Sequence, residues 1–232
     1  MTALLGLATR LSLAKLMFIT DARTATADLE RLAAAAFAGG VDIIELRERQ
    51  AAVALQATAL AAVEKQAGRR GLASIYGSAE TAAAVRADVV HLSALDGAAD
   101  QAHAMLGQWA LVGRSCHSIA QVDEAVADDA VDFFSVSPVF NSIGVGEAGI
   151  ELVAHAAAVA PQAGGAKPWF AIGGIGPDTL DQVFAAGARR IGLTRAIAQA
   201  DDPAAAAAAI RARLDELWRD DPGLQERVFG AF

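Results

Sequence analysis

The sequence predicts a single α/β domain of the (β/α)8 type, the TIM barrel, over residues 1–232, with a lead-in at 1–14 and a C-terminal tail from about residue 220. Short β-branched or aromatic runs alternate with longer alanine-rich segments of helical period from Leu16 to the end. The runs number eight, which closes a parallel barrel. No dinucleotide glycine motif follows the first run, which disfavours the alternative of an open doubly wound sheet.

Each predicted element has its own local signal. The predicted strands are Leu16–Thr20, Asp42–Arg47, Leu72–Tyr76, Val89–Leu92, Leu111–Ser115, Phe133–Val136, Trp169–Ile172 and Arg190–Leu193. The predicted helices are Ala27–Ala38, Ala51–Gln66, Ala79–Val85, Ala99–Leu106, Ile119–Ala127, Ile150–Val159, Thr179–Ala186 and Pro203–Arg219. Glycines or an Asp-Pro pair punctuate several helix ends, as at Gly39-Gly40 and Asp202-Pro203.

Composition restricts the classes of partner. A net charge of −8 without a Lys/Arg-rich block argues against nucleic acid or an anionic membrane as the main partner. The single cysteine, Cys116, cannot form an intrachain disulfide or a Cys-based metal cluster. The N-terminal segment lacks the basic start of an export signal, so we expect a cytoplasmic protein.

In such a barrel, the site lies where the strands end at their carboxyl termini. The seventh strand ends in Gly173-Gly174 and the eighth in Thr194-Arg195, and a helix follows each turn. Paired loops after strands seven and eight bind phosphate recurrently in this fold, which predicts a phosphate site. The alternative is that the glycines only permit a tight turn.

Charged residues follow the second strand. Alternation places Glu45 and Arg47 on the face that points into the barrel mouth, where Arg47 could bind a ligand, form an ion pair with Glu45, or do both. His117 follows the fifth strand and could exchange a proton, or it could only cap or pack a helix. We interpret His91 as an interior histidine, whereas His103 and His155 fall on alanine-rich helices and are expected at the surface.

Several segments, taken in this order, resemble the family of thiamine phosphate synthase and the thiazole tautomerase TenI. They are MFITDAR, AGGVDIIELRER, ADVVHL, VGRSCHS, VSPVF, KPWFAIGGI, GARRIGLTRAI and DDPAAAA, and they resemble actinobacterial synthases most. The resemblance implies a synthase that joins hydroxymethylpyrimidine diphosphate to hydroxyethylthiazole phosphate and releases diphosphate. It also implies neutralisation of the leaving diphosphate by Mg²⁺, a lysine and an arginine.

The resemblance assigns roles to individual positions. The thiazole-phosphate end is matched by Gly173, Gly174, Thr194 and Arg195. The catalytic positions are matched by Arg47, Arg49, Ser115 and His117, and the pyrimidine and diphosphate side by Glu45, Tyr76 and Ser142. Of the magnesium carboxylates of the family only Asp96 remains, so any Mg²⁺ would be weakly held and bridged by substrate, and no organic cofactor is implied.

This chain departs from the family pattern at the diphosphate end. Tyr76-Gly77-Ser78 replaces Asn-Asp-Arg, Ser142, Gly144 and Val145 replace the Thr-x-Thr-Lys of the sixth loop, and Arg49 can supply only part of the lost lysine's charge. Three functions therefore stay open: a synthase with an altered diphosphate site, a tautomerase with His117 as acid and base, and a non-catalytic phosphate-ligand barrel. The resemblance further suggests a small homo-oligomer.

Overall fold

Eight parallel strands close into a barrel in which each strand pairs with its neighbours in chain order and β8 returns to β1. The computed structural model describes residues 6–140, 149–162 and 166–221. The strands are β1 (Leu16–Thr20), β2 (Ile43–Leu46), β3 (Leu72–Tyr76), β4 (Val89–Leu92), β5 (Leu111–Cys116), β6 (Phe133–Val136), β7 (Trp169–Ile172) and β8 (Ile191–Leu193). The predicted (β/α)8 barrel is confirmed.

Helices follow the strands on the outside of the barrel. They are α1 (Leu7–Leu13), α2 (Leu29–Ala38), α3 (Val53–Ala67), α4 (Ala79–Val85), α5 (Ala99–Leu106), α6 (Ile119–Ala127), α7 (Gly149–Val159), α8 (Leu180–Ala185), α9 (Arg195–Ala198) and α10 (Pro203–Arg219). The side chains of Ser78, Ser118 and Asp202 accept hydrogen bonds from the first-turn N–H groups of α4, α6 and α10. Such caps contribute about 1 kcal/mol each.

The barrel interior is apolar toward the amino ends of the strands, called its lower part, and polar toward their carboxyl ends. Residues from alternate strand positions fill the lower part, among them Ile43, Leu111, Phe133 and Phe170. Nearer the carboxyl ends of the strands, the inward positions carry buried polar side chains instead, listed from β2 to β6: Glu45, Ser74, His91, Ser115 and Ser135. The fold therefore directs hydrogen-bonding groups toward one end of the barrel.

The N-terminal segment contains a helix that the sequence did not predict. Within the expected lead-in, α1 inserts the 3% exposed Leu11 into the interior cluster. Arg190, fully buried just before β8, donates hydrogen bonds to the carbonyl oxygens of Ser12 (2.8 Å) and Ala14 (2.9 Å). This helix therefore covers the end of the barrel opposite the carboxyl ends of the strands.

Most of the predicted tail, from residue 222 onward, lies outside the described residues. α10 ends at Arg219, as predicted. Within the described part of the chain, no helix is long and apolar enough to cross a membrane.

Candidate functional site

Two arginines converge on one aromatic ring where β2 and β3 end. Arg47 lies directly after β2, its N–H donating to the Thr20 carbonyl oxygen at 2.8 Å, and its side chain is exposed. Its guanidinium carbon lies 4.1 Å from the centre of the Tyr76 ring, and that of Arg49 lies 5.4 Å from the same centre. Cation–π attraction holds both guanidinium groups beside Tyr76 at the mouth of the barrel.

Arg49 is also paired with Asp96, which follows β4. Both terminal nitrogens of Arg49 donate to the Asp96 carboxylate, each at 2.8 Å, and the Ser93 N–H donates to it at 2.7 Å. Burial alone would raise the pKa of Asp96, but the hydrogen bonds from Arg49 and Ser93 outweigh burial and hold it below its usual range. The same hydrogen bond with Asp96 raises the pKa of Arg49.

The polar layer beneath the mouth is a connected network around His91. Its Nδ1 lies 2.6 Å from Oε2 of Glu45, and its Nε2 lies 3.2 Å from Oγ of Ser115 and 3.0 Å from Oγ of Ser135. His91 is 1% exposed, as predicted for an interior histidine. The alternative of an ion pair between Glu45 and Arg47 is wrong, because the Glu45 carboxylate points into the barrel and binds His91.

His117 lies directly after β5 with its ring orientation fixed. Its Nδ1 is 2.7 Å from the carbonyl oxygen of Ser137, and its backbone N–H donates to the side chain of Gln121 at 2.6 Å. Because a carbonyl oxygen can only accept, Nδ1 carries a proton, and in the neutral form of the ring Nε2 would be the unprotonated nitrogen. The neighbouring Ser118 caps α6, so the capping role falls to that residue and not to His117.

Gly173 and Gly174 form a turn that only glycine fits. Their φ angles are +107° and +67°, in the region that side chains with a Cβ rarely adopt. A Cβ on Gly173 would lie 2.8 Å from the Pro138 Cα, and one on Gly174 would lie 2.8 Å from the Phe140 Cβ. The loop after β6 therefore packs directly onto the turn after β7. The two glycines are needed for this tight turn, as the alternative interpretation held.

Thr194 and Arg195 occupy the corresponding position after β8. Both are exposed; Thr194 precedes α9, and Arg195 is its first residue. The fold thus places the two turns predicted to bind phosphate side by side at the mouth, since β7 and β8 are paired. Their contact with a phosphate stays a prediction. Ser142, together with Gly144 and Val145 of the sixth loop, lies outside the described residues.

Comparison with known proteins identifies the family. The sequence pattern described as thiamine monophosphate synthase matches residues 16–197. The thiamine-phosphate synthase of Saccharopolyspora erythraea is 44% identical over 218 residues, covering 90% of this chain and 96% of that protein. The chain belongs to the thiamine monophosphate synthase family.

Two further relatives agree with this assignment. The thiamine-phosphate synthase of Thermobifida fusca is 43% identical over 209 residues, covering 88% of this chain and 94% of that protein. The solved thiamine phosphate pyrophosphorylase of Pyrococcus furiosus has a TM-score of 0.75 at 23% identity, covering 90% of this chain and 98% of that one, which supports the barrel fold. The predicted resemblance, including its actinobacterial character, is confirmed.

The magnesium that the synthase family implies does not fit the described residues. They contain no group of three or more His, Cys, Asp or Glu side chains that could hold a metal ion. Asp96, the one candidate ligand, has both carboxylate oxygens engaged by Arg49 and is 6% exposed. Asp96 is therefore the anchor of a guanidinium group in this family member.

Sequence reasoning missed several features of the site. It did not connect Arg49 with Asp96, because 47 positions separate them and only barrel closure brings the two loops together. It also missed Ser135, although the inward alternation in Phe133–Val136 was a usable signal.

Proposed function

We propose that this chain acts as a thiamine phosphate synthase. It would join hydroxymethylpyrimidine diphosphate to hydroxyethylthiazole phosphate, with the thiazole nitrogen replacing diphosphate on the pyrimidine methylene carbon. The observation that carries the proposal is the pair of guanidinium groups at the barrel mouth, found in a chain 44% identical to a protein named for this activity. Both substrates are phosphorylated small molecules, so we expect no macromolecular substrate.

The arginines supply what a diphosphate leaving group requires. Negative charge grows on the diphosphate as its bond to carbon breaks, and fixed donors aimed at that charge lower the barrier. Arg47 is exposed toward the mouth and held against Tyr76, so its charge is already in place before substrate binds. Removal of one such contact typically slows the reaction by about a hundredfold.

Ser115 places a hydroxyl group beneath the mouth of the barrel. It lies on β5 at 4% exposure, with its Oγ 3.2 Å from Nε2 of His91. The buried pair of His91 and Glu45 therefore fixes the direction of the Ser115 hydroxyl. On the other side, backbone N–H groups of the turns after β7 and β8 would receive the thiazole phosphate.

The direct test is product formation by the purified protein. Both substrates are supplied, and thiamine phosphate is measured by chromatography against boiled protein. We expect product from the native chain and about a hundredfold less from Arg47→Gln. Arg69→Gln is the matched control, because this exposed arginine lies between α3 and β3, at the opposite end of the barrel. Product at the boiled level in the native protein would refute the proposal.

His117 supports a second candidate, thiazole tautomerisation. Its Nδ1 is bound to the Ser137 carbonyl oxygen, which leaves Nε2 available to take up a proton. The test supplies the thiazole carboxylate phosphate tautomer and follows ring aromatisation. Acceleration that is lost in His117→Ala would support this function. Full acceleration in His117→Ala, or none in the native chain, would exclude the mechanism.

A further inference from the structure

The described carboxylate best placed to bind a metal at this mouth is already bound to an arginine. We infer that this chain holds the diphosphate group by Arg47 and Arg49 directly, without a protein-bound magnesium ion. The inference rests on the proposed function only for the identity of the anion. Its basis is the geometry of Asp96, Arg49 and Tyr76.

Hydrogen-bond donors already occupy both oxygens of the Asp96 carboxylate. The two Arg49 nitrogens reach the two carboxylate oxygens at 2.8 Å each, in the parallel geometry that gives the strongest arginine–carboxylate pairs. The Ser93 N–H adds a third donor at 2.7 Å. A magnesium ion at Asp96 would compete with the two Arg49 hydrogen bonds for the same oxygens.

The loop that carries Asp96 is itself fixed by a second arginine. Arg114, on β5, donates to the carbonyl oxygens of Ser93 (3.1 Å), Asp96 (3.2 Å) and Gly97 (2.8 Å). Three contacts from one guanidinium group hold the backbone on both sides of Asp96. The carboxylate is therefore preorganised to position Arg49, which is 36% exposed and can still contact a ligand.

The charged side chains of Arg47, Arg49 and Asp96 carry a net positive charge that favours an anion. Arg47 and Arg49 lie beside the same ring, and their mutual repulsion is offset by the single negative charge of Asp96. One net positive charge remains in this group of three. A bound diphosphate would accept hydrogen bonds from both guanidinium groups, because each can donate to more than one phosphate oxygen.

Pyrophosphate binding tests this inference without turnover. Inorganic pyrophosphate is titrated into the full chain by calorimetry, once with EDTA and once with millimolar Mg²⁺, and thermal shifts are recorded in both buffers. We expect affinity in EDTA at least equal to that in Mg²⁺. We also expect Arg49→Gln to weaken binding in EDTA by about tenfold or more, the usual effect of losing one charge-assisted contact.

Two controls separate the site from general charge. Arg69→Gln removes the same charge at the far end of the barrel and should bind as the native chain does. Arg49→Lys keeps the charge but cannot make the two-nitrogen contact with Asp96, so it should recover only part of the affinity. If Arg49→Gln does not fold, Arg49→Lys and the thermal shift of the native chain still decide.

Several results would overturn the inference. They are pyrophosphate binding by the native chain only when Mg²⁺ is present, no binding in either buffer, or equal affinity in Arg49→Gln and Arg69→Gln. The outcome is independent of the synthase assay. A chain that binds pyrophosphate in EDTA but forms no thiamine phosphate would refute the proposed function alone, and a chain that forms product but binds only with Mg²⁺ would refute this inference alone.

Discussion

The buried network around His91 makes a sharp prediction about stability. In His91→Leu, a side chain of similar volume replaces the ring, but Glu45 loses its donor at 2.6 Å and the hydroxyls of Ser115 and Ser135 lose a partner. Removing one member of a buried pair costs about 3–5 kcal/mol, because the other member stays buried without compensation. At roughly 2–4 °C per kcal/mol for a chain of this size, Tm should fall by on the order of 10 °C.

Equilibrium urea unfolding, followed by tryptophan fluorescence, measures this loss. The matched control is His155→Leu, since His155 pairs with Asp123 at 2.7 Å near the surface and such pairs contribute about 0–1 kcal/mol. The double variant Glu45→Leu/His91→Leu should recover part of the lost stability, because no charged group is left buried alone. A His91→Leu variant no less stable than His155→Leu would refute the reasoning.

Three further predictions concern other parts of the chain. Gly174→Ala should lower the unfolding free energy by about 1–3 kcal/mol in a thermal melt, whereas Gly176→Ala, where a Cβ meets nothing within 4 Å, should not. Burial raises the pKa of Cys116 to about 12, so a thiol reagent near pH 8 should label this residue only in urea. Detection of the labelled protein by mass spectrometry without urea would contradict this. The hydrogen bond from Arg23 holds the pKa of Asp28 below its usual range, so the stability that this group contributes above its unfolded-state pKa is lost as the pH falls. Asp28→Asn should therefore flatten the decline of unfolding free energy in acid, and an unchanged acid unfolding curve would contradict this.

The strands were predictable because each is a short run with a strong local signal. The boundaries of β1, β3, β4, β6 and β7 coincide with the predicted ones, β5 and β8 differ by one residue at one end, and β2 is one residue shorter at both ends. Two helices, α1 and α9, were not predicted. They span seven and four residues, too short for helical period to be visible, and α1 is held by a tertiary contact, the hydrogen bonds from Arg190.

The site was predictable in its location and less so in its pairings. Strand ends and alternation place Arg47 and Tyr76 at the mouth, because both signals are local in sequence. The partner of Glu45 could not be chosen in the same way. His91 is 46 positions away and competes with the nearby Arg47, and only the closed barrel shows that the carboxylate points inward.

The two ends of the site differ in how freely their residues can change. In the turn after β7, Gly173 and Gly174 are fixed twice, by positive φ angles and by backbone and side-chain atoms within 3 Å of any added Cβ. Any other residue there would push the β6 loop away. Where β2 and β4 end, the contacts are made by long side chains, and Arg49 reaches Asp96 across the mouth.

Side chains at such positions can be exchanged without moving the backbone, provided that charge is conserved. A guanidinium bound to Asp96 adds positive charge at the place where a metal bound to the same carboxylate would add it. This accounts for a chain that keeps the Gly173-Gly174 turn and departs from the family pattern beside β3. The metal dependence of pyrophosphate binding is therefore the decisive measurement, because Arg49 and a metal ion would compete for the same carboxylate.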